Sequence, residues 1–317
     1  MLAPLTERWG IAPGTHRFVL DTMRRVGARD LSLGRLYEGH VNALMLIANF
    51  GDPVQAERDL LEGRIFGVWN TDAPDPVTAR RRNNLLEFEG RKAFGSGAGS
   101  VLRPIVTAEI EGEGRVMCLL AMENTKHTID FASWQPMGME GSDSFTVDFS
   151  GAIAQDTVIL GTAGIYYRQP AFSGGAIRFS AVQLGAAEKL AQSFIEWLQK
   201  AKRTTDPYQM SRAGEIEIAI ESGKQWMERA GSEAELNFNA THEPGISRMI
   251  QVANMTRLAI ERICLDVMEL VTRGVGARGL LGDAAFEKRL RDLAMYLRQP
   301  APDQALAEVG RQALLKT

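Results

Sequence analysis

Two short segments of this sequence place an aromatic ring beside hydroxyl and backbone groups at the end of a predicted strand. Trp69-Asn70-Thr71-Asp72 ends one strand, and Phe94-Gly95-Ser96-Gly97 ends another. Each segment offers a large π-face together with a hydroxyl or a backbone donor. An isoalloxazine ring needs this combination of apolar cover and a few placed hydrogen bonds. Aromatic residues of a protein core also lie near turns, so the pattern indicates a ring-binding site without requiring one.

The residues around other candidate motifs exclude the chemistry that those motifs would indicate. The stretch GVGARG has the GxGxxG spacing of a dinucleotide site, but it follows a predicted helix, and we interpret it as a helix end followed by a turn. The glycine-rich stretch 94–100 lacks the GK[ST] ending of a P-loop, and no GxSxG elbow is present. Cys118 and Cys264 lie in apolar stretches and are expected to be buried thiols. No metal-ligand spacing joins the four histidines, which are His16, His40, His127 and His242.

Composition and charge exclude several classes of protein. A chain of 317 residues with 45% hydrophobic and 24% charged residues is expected to form two or three globular units. The net charge of −3 and the pI near 5.9 lack the basic excess that nucleic-acid binding requires. The N-terminus lacks the apolar segment of a signal peptide, and no apolar run approaches the roughly 18 residues of a membrane span. We therefore expect no nucleic-acid partner, no membrane association and a cytoplasmic location.

The predicted elements change type twice along the chain. Residues 1–62 have helical periodicity and form a predicted N-terminal helical domain. Residues 63–162 contain short β-forming runs bounded by Gly, Asp, Asn and Pro, which is typical of an antiparallel barrel or sandwich. Residues 163–317 return to helix. The predicted fold class is α+β, with a helical segment, a middle β-barrel or sandwich domain and a C-terminal up-and-down four-helix bundle.

Apolar stripes at helical spacing support the predicted bundle. They run along residues 216–230, 249–271 and 286–297, and Asp283 is a candidate N-cap for the last of them. Such stripes are far more often the core of a bundle than a cofactor site.

Four motifs, taken in order, resemble the acyl-CoA dehydrogenase family from about Arg29 onward. IFGVWNTDAPDP resembles the family's strand-turn that leads into a Thr-Glu-Pro signature, and GRKAFGSGAG resembles its Gly-x-Lys strand with a flavin-facing aromatic and hydroxyl. MGMEGSDSFTVDFSGAIAQDTVILG is similar to its Gly-Met-x-x-Ser strand pair, and FEKRLRDLAMY to its late Arg-Asp helix. The resemblance depends on the order and separation of the four motifs more than on any one of them.

The resemblance implies an FAD-dependent oxidoreductase that carries out α,β-dehydrogenation of an acyl-CoA or related acyl substrate, and a homodimer or homotetramer. It also implies roles for individual residues. Asn70 and Thr71 fall at the pyrimidine edge of the flavin, Phe94 over the ring and Ser96 near N5. Arg203 falls on an arginine that reaches FAD phosphates from another subunit, although the spacing to the next helix is shorter here. Gly274 and Gly276 match the family's glycine-rich turn that approaches the adenine half of FAD.

Several departures from the family pattern concern the catalytic base. Counting from the Arg-Asp helix puts Pro300 at the usual glutamate position, and proline cannot act as a base. The alternative position on the first bundle helix falls near 175–178, which contains no carboxylate. Asp303 is the nearest acidic residue, and we favour a helix N-cap over a base for it.

The remaining departures concern the cofactor and substrate regions. Residues 72–77 lack the glycines of the family's Glu-Pro-Gly-x-Gly-Ser loop, whose backbone approaches the pyrophosphate closely. The chain is also short before Asp30, where the family carries several more helical turns. The resemblance therefore implies a divergent member with a shortened N-terminal domain.

Three functional hypotheses follow. The first is the acyl-thioester dehydrogenase, which lacks its usual base. The second is a flavin monooxygenase of the same fold, which does not need that carboxylate; relatives of that kind often use a bundle histidine, and here only His242 is available. The third is a non-catalytic member that serves as a subunit or binding protein.

Overall fold

The computed structural model describes residues 14–83, 85–154, 157–281, 284–298 and 300–315. Helices come first, strands follow, and long helices end the chain, so the predicted α+β class and order are confirmed. The helices are α1 (Thr15–Arg29), α2 (Leu31–Phe50), α3 (Pro53–Leu61), α4 (Ala171–Gly174), α5 (Ala176–Lys200), α6 (Pro207–Asn237), α7 (Gly245–Leu280), α8 (Ala284–Tyr296) and α9 (Pro302–Leu314). The strands are β1 (Phe66–Trp69), β2 (Thr78–Arg82), β3 (Leu85–Glu89), β4 (Arg91–Gly95), β5 (Arg103–Ile110), β6 (Gly114–Leu119), β7 (Thr128–Asp130), β8 (Phe145–Asp148), β9 (Ala152–Ala154) and β10 (Val158–Leu160).

Backbone contacts divide the described chain into two compact units. The first contains residues 35–135 and 140–168, and the second contains 14–34, 136–139 and 169–315. The first N-terminal helix thus groups with the C-terminal helices, whereas most of α2 groups with the strands, because each packs its apolar face there. These units do not follow the predicted limits at 62/63 and 162/163, and the division into three domains stays a prediction.

The first unit contains two sheets. In the larger one the strand order is β10-β6-β5-β2-β3-β9, with β1 parallel to β5; the smaller one has the order β4-β8-β7. The antiparallel pairs expected from the sequence are present, but β5 also pairs in parallel with β1 and β2. This mixed pairing arises because the connections from β1 and β2 to β5 cross over instead of turning back as hairpins.

Strand β5 is buried on both faces. Val106, Ala108 and Ile110 belong to one apolar cluster, and Ile105 belongs to another that contains side chains of α2. Alternate residues of a strand point to opposite faces, so a continuous apolar run such as PIVTA is the pattern of a strand covered on both sides. Helix α2 contributes Ala43, Leu44 and Ile47 to this cover.

Glycines allow very close helix packing in the second unit. A Cβ on Gly27 would lie 2.1 Å from the carbonyl oxygen of Val182, and one on Gly185 would lie 1.8 Å from that of Arg24. Helices α1 and α5 therefore approach each other at backbone distance, which only glycine permits. The predicted stripes on α6 and α7 are also buried, with Ile220 and Val267 as examples.

The GVGARG stretch differs from its predicted form. Gly276 has φ 58° and ψ −173°, and the backbone on both sides of it is helical. The stretch is a kink within α7, because one glycine in a conformation closed to other residues interrupts the helix without ending it. Asp283, the candidate N-cap of α8, lies outside the described residues. None of the described helices has both the length and the apolarity needed to cross a membrane.

We expect Gly185→Ala to destabilise the protein by about 1–3 kcal/mol, because its new methyl group has no space against the Arg24 carbonyl. Gly214→Ala is the matched control, since Gly214 lies inside α6 with no atom within 4 Å of its Cβ position. That control should gain up to about 1 kcal/mol from helix propensity. Urea unfolding followed by circular dichroism measures both changes, and equal stability of the two variants would contradict the packing argument.

Candidate functional site

The end of β4 is strained and exposes an aromatic ring. Phe94 has φ 54°, a left-handed conformation that is rare for an aromatic residue, and its side chain is 57% exposed. The register against β8 shifts between Lys92 and Gly95, so a bulge turns this residue out of the strand. The Phe94 ring lies edge-on to Trp134, with centroids 6.2 Å apart. Strain of this kind tends to concentrate at functional sites.

Three serine hydroxyls form a chain beside this ring. Ser96 Oγ and Ser144 Oγ are 2.9 Å apart, and Ser144 Oγ and Ser142 Oγ are also 2.9 Å apart. Ser142 and Ser144 are buried, whereas Ser96 is partly exposed. The Gly97 N–H donates to the Ser142 carbonyl at 2.8 Å, and the Ala98 N–H donates to the Asp143 carbonyl at 3.2 Å.

Trp69 does not present the open ring that its position at a strand end suggested. Its side chain is only 1% exposed, packs against Phe149 with centroids 6.4 Å apart, and donates from Nε1 to the Ser96 carbonyl at 3.0 Å. The alternation of β1 turns Trp69 into the core of the first unit. Of the two predicted aromatic faces, only that of Phe94 is open.

A buried lysine organises the segment after β1. The Lys92 side chain is fully buried, and its ammonium donates to the Asn70 carbonyl at 3.1 Å, to Asp72 Oδ1 at 2.6 Å and to Thr107 Oγ1 at 2.9 Å. All three N–H groups of the ammonium therefore have an acceptor. Burial lowers the pKa of Lys92 to about 8, although Asp72 partly opposes that decrease.

Further hydrogen bonds close the network around Asn70. Its Oδ1 accepts from Thr107 Oγ1 at 3.0 Å and from the Tyr167 hydroxyl at 2.7 Å. Arg115 pairs with Asp72 and also donates to Thr107 at 3.1 Å. Burial alone would raise the pKa of Asp72, but the hydrogen bonds from Lys92 and Arg115 hold it below its usual range. Thr71 is exposed, and its carbonyl accepts from the Ala93 N–H at 2.9 Å.

The sequence prediction missed Lys92, Arg115, Tyr167, Ser142 and Ser144. A weak signal existed for three of them, because the quoted GRKAFGSGAG and MGMEGSDS motifs contain Lys92, Ser142 and Ser144 without assigning them a role. Arg115 and Tyr167 carried no signal, since only the pairing of β6 with its neighbours and the turn after β10 bring them to Asn70.

Within the second unit, Arg203 and Gly274 lie at the two ends of one short network. Arg203 pairs with Asp206 at 2.6 Å, and Asp206 caps α6 by accepting from the Gln209 N–H at 3.3 Å. Gln209 in turn donates from Nε2 to the Gly274 carbonyl at 3.1 Å. A Cβ on Gly274 would lie 2.4 Å from Phe194, so helix packing alone already requires glycine there. Gly276 has open space around its Cβ position.

The candidate bases do not form an acid–base site. Pro300 is exposed and its carbonyl accepts from Arg257 at 2.8 Å. Our N-cap prediction for Asp303 is wrong: Ala301 is the N-cap of α9, Pro302 takes the first helical position, and Asp303 is exposed in the first turn. Proline fits that first position because its φ is preset and it needs no N–H acceptor. His242 is exposed in the turn before α7.

Two motifs quoted for the resemblance pack together in the second unit. A Cβ on Gly138 would lie 2.4 Å from the Arg291 backbone, and the Met139 N–H donates to Asp292 Oδ1 at 2.7 Å. Arg291 also donates to the Met137 carbonyl at 2.8 Å. The Arg-Asp pair thus holds the Gly-Met segment, which gives both motifs a structural reason. Among the described residues, no group of three His, Cys, Asp or Glu side chains is placed to hold a metal ion.

Comparisons with known proteins agree with this architecture. Residues 177–297 match the family model described as acyl-CoA dehydrogenase, C-terminal domain. The chain is 23% identical to a dibenzothiophene monooxygenase of Mycolicibacterium goodii over 93% of this chain and 80% of that protein. It is also 23% identical to a probable FMNH2-dependent monooxygenase, SfnC, of Pseudomonas putida over 92% of this chain and 79% of that protein.

Two solved structures show the same fold. FMN-bound TdsC of Paenibacillus sp. A11-2 superposes with a TM-score of 0.88 at 20% identity, covering 100% of this chain and 87% of TdsC. The methanesulfinate monooxygenase MsuC of Pseudomonas fluorescens superposes with a TM-score of 0.84 at 20% identity, with the same coverage. The match of residues 177–297 to the family model, together with this shared fold, confirms the predicted resemblance to the acyl-CoA dehydrogenase family.

The buried lysine makes stability depend on pH. Between about pH 8 and 10.5 the unfolded chain retains a proton that folded Lys92 has released, so this group makes stability rise with pH in that window. Between pH 7.5 and 9.5 we expect wild type to gain on the order of 1–2 kcal/mol relative to Lys92→Met. Urea unfolding at both pH values measures the difference, with the exposed Lys200→Met as control. Parallel pH dependence of wild type and Lys92→Met would contradict the assignment.

Proposed function

We propose, from its acyl-CoA dehydrogenase-type C-terminal domain and the fold that goes with it, that this chain is a flavin-dependent monooxygenase that uses reduced FMN and O2. The relatives that support this reading are monooxygenases, one of which is named as FMNH2-dependent. They favour the same-fold monooxygenase over acyl-thioester dehydrogenation, which was the main prediction from the sequence.

The observation that carries the proposal is the exposed edge formed by Phe94 and Ser96. Phe94 is held out of the strand in a strained conformation with 57% of its side chain exposed, although burial of a phenyl ring is normally favourable. Among the described residues, the Ser96 hydroxyl bonds only to Ser144, so it retains hydrogen-bonding capacity. An apolar face beside a hydroxyl with spare capacity fits the ring of a flavin and one of its nitrogen atoms.

The positions expected for a substrate base favour oxygenation over dehydrogenation. Removal of an α-proton needs a placed general base, which contributes roughly 10²–10⁴-fold to the rate. Pro300 occupies one expected position, residues 175–178 carry no carboxylate at the other, and Asp303 is an exposed first-turn residue of α9. Insertion of an oxygen atom does not require that base.

The loop at 72–77 favours FMN over the FAD that the resemblance implied. It lacks the glycines that would let the backbone approach a pyrophosphate, and its two carboxylates already pair with cations. Asp72 is held by Lys92 and Arg115, and Asp75 pairs with Arg91 at 2.8 Å. FMN has a single phosphate and no adenine half, so its binding does not require glycines in this loop.

The roles of the other predicted residues belong to this proposal. Asn70 and Thr71 would border the ring, with Asn70 fixed by Lys92 and Tyr167. Arg203, whose side chain is 43% exposed, would meet the phosphate of a flavin bound to another subunit. Without an adenine half to approach, Gly274 and Gly276 serve helix packing and the kink. The homo-oligomeric state and the cytoplasmic location stay predictions of the sequence.

Reduced flavin, when bound, supplies two electrons, so that one atom of O2 enters the substrate and the other leaves as water. The protein's contribution is to orient the ring through Phe94 and Ser96. We propose a small organic molecule as substrate instead of the acyl-CoA that the resemblance implies. Relatives are named for dibenzothiophene and methanesulfinate, which gives two probes for this chain.

The direct test mixes the protein, loaded anaerobically with dithionite-reduced FMN, with ¹⁸O2 and each probe. Incorporation of one ¹⁸O atom into a product supports the proposal. Bleaching of an FAD-loaded protein by acyl-CoA under argon would instead establish the dehydrogenase. If neither flavin binds, the non-catalytic alternative stands.

We expect Phe94→Ala to raise the Kd for FMN roughly tenfold, because contact between aromatic rings is worth about 0.5–1.5 kcal/mol. Ile153→Ala is the control, since Ile153 is also an exposed apolar residue of the first unit but lies on β9 in the other sheet. Fluorescence titration of FMN measures both Kd values, and an unchanged Kd for Phe94→Ala would contradict the role of the ring.

A further inference from the structure

The three serines near β4 form a hydrogen-bonded chain with two possible directions. A hydroxyl has one proton to donate and lone pairs to accept, so each Oγ–Oγ contact can run either way. The distances of 2.9 Å from Ser96 to Ser144 and from Ser144 to Ser142 fit both directions. Because Ser144 has only one proton, it can donate to Ser96 or to Ser142, but not to both.

In one direction Ser142 donates to Ser144 and Ser144 donates to Ser96. The Ser96 proton is then free to point away from the chain as a donor. In the other direction Ser96 donates to Ser144, and Ser144 donates to the Ser142 carbonyl at 3.5 Å, so that the Ser142 hydroxyl still has Ser144 as its acceptor. Ser96 then presents only lone pairs. No covalent bond is formed or broken between the two arrangements, because each hydroxyl group only rotates about its C–O bond.

The chain of serine hydroxyls is not needed to attach the serine loop, which is the segment 142–144. The Gly97 and Ala98 N–H groups already donate to the Ser142 and Asp143 carbonyls at 2.8 and 3.2 Å. Ser142 and Ser144 are 1% and 6% exposed, and apolar side chains would fill such positions without the cost of burying hydroxyls. Packing therefore does not explain why these two buried residues carry hydroxyl groups.

We propose that Ser144, supported by Ser142, is a positioning residue that lets Ser96 change from donor to acceptor as the bound flavin changes redox state. This inference rests on the proposed flavin function. The N5 nitrogen of an oxidised flavin is a hydrogen-bond acceptor, whereas N5 of the fully reduced flavin carries a proton and is a donor. A hydroxyl held by a reversible chain satisfies both forms, and a hydroxyl locked in one direction satisfies only one.

The two redox forms make different demands on Ser144. When Ser96 accepts from the flavin, its own proton needs Ser144 as acceptor, and without Ser144 a partly buried donor is left unpaired. When Ser96 donates to the flavin, removal of Ser144 leaves only a lone pair unused. An unpaired donor is the more expensive loss. Removal of the Ser144 hydroxyl should therefore weaken the binding of reduced flavin selectively.

The experiment measures the Kd of wild type, Ser144→Ala, Ser144→Thr and Ser142→Ala for oxidised FMN and, anaerobically, for dithionite-reduced FMN. In Ser144→Ala we expect the Kd for reduced FMN to rise about tenfold more than the Kd for oxidised FMN. Ser144→Thr keeps the hydroxyl and should keep the wild-type ratio of the two Kd values. Ser142→Ala leaves the Ser142 carbonyl as acceptor, so we expect a shift in the same direction that is smaller.

Each outcome decides the inference. Equal changes of both Kd values in Ser144→Ala, or a ratio that Ser144→Thr fails to restore, would overturn the switching role while leaving the flavin function intact. Wild type that binds neither form of FMN would overturn the proposed function itself. If circular dichroism shows that Ser144→Ala is unfolded, the Ser142→Ala variant tests the inference instead. An unchanged ratio of the two Kd values in Ser142→Ala would then overturn the role of the serine hydroxyls.

Discussion

The buried ammonium of Lys92 is the constraint on which the first unit's candidate site depends. It draws the Asn70 carbonyl, the Asp72 carboxylate and the Thr107 hydroxyl to one point, and so joins the end of β1, the start of β4 and the middle of β5. A charge in this position is tolerated only because every N–H has an acceptor and a carboxylate lies beside it. The segment that carries Asn70 and Thr71 thus has a fixed backbone before any ligand arrives.

A rigid base of this kind allows strain on the neighbouring strand end. Phe94 adopts a left-handed conformation with an exposed ring, which the free chain would avoid. Lys92, two residues earlier, anchors β4, and the Gly97 and Ala98 bonds to the serine loop anchor the segment that follows. The strain is therefore held from both sides, which fixes the Phe94 ring and the Ser96 hydroxyl in the positions that the proposed function requires.

In the proposed function, oxygenation takes the place of dehydrogenation because two features that dehydrogenation with FAD requires are replaced in this sequence. Dehydrogenation of an acyl thioester needs a base, and pyrophosphate binding needs a glycine-rich loop. Pro300 replaces the first, and the 72–77 loop, with its paired carboxylates, replaces the second. Both departures were visible in the sequence, and both are compatible with reduced FMN and O2. These two departures remove what dehydrogenation requires, and they fit the different reaction that we propose.

The sequence by itself determined the order of helices and strands, the apolar stripes of α6 and α7, and the Phe94–Ser96 edge. Those features depend on periodicity and on neighbours along the chain, which a sequence displays directly. Only the tertiary structure decided that Trp69 is buried and that Arg115 and Tyr167 meet Asn70. The serine chain belongs to the same group, because Ser96 lies 48 residues from Ser144. Contacts across such separations depend on strand pairing and loop paths, which no local pattern of residues encodes.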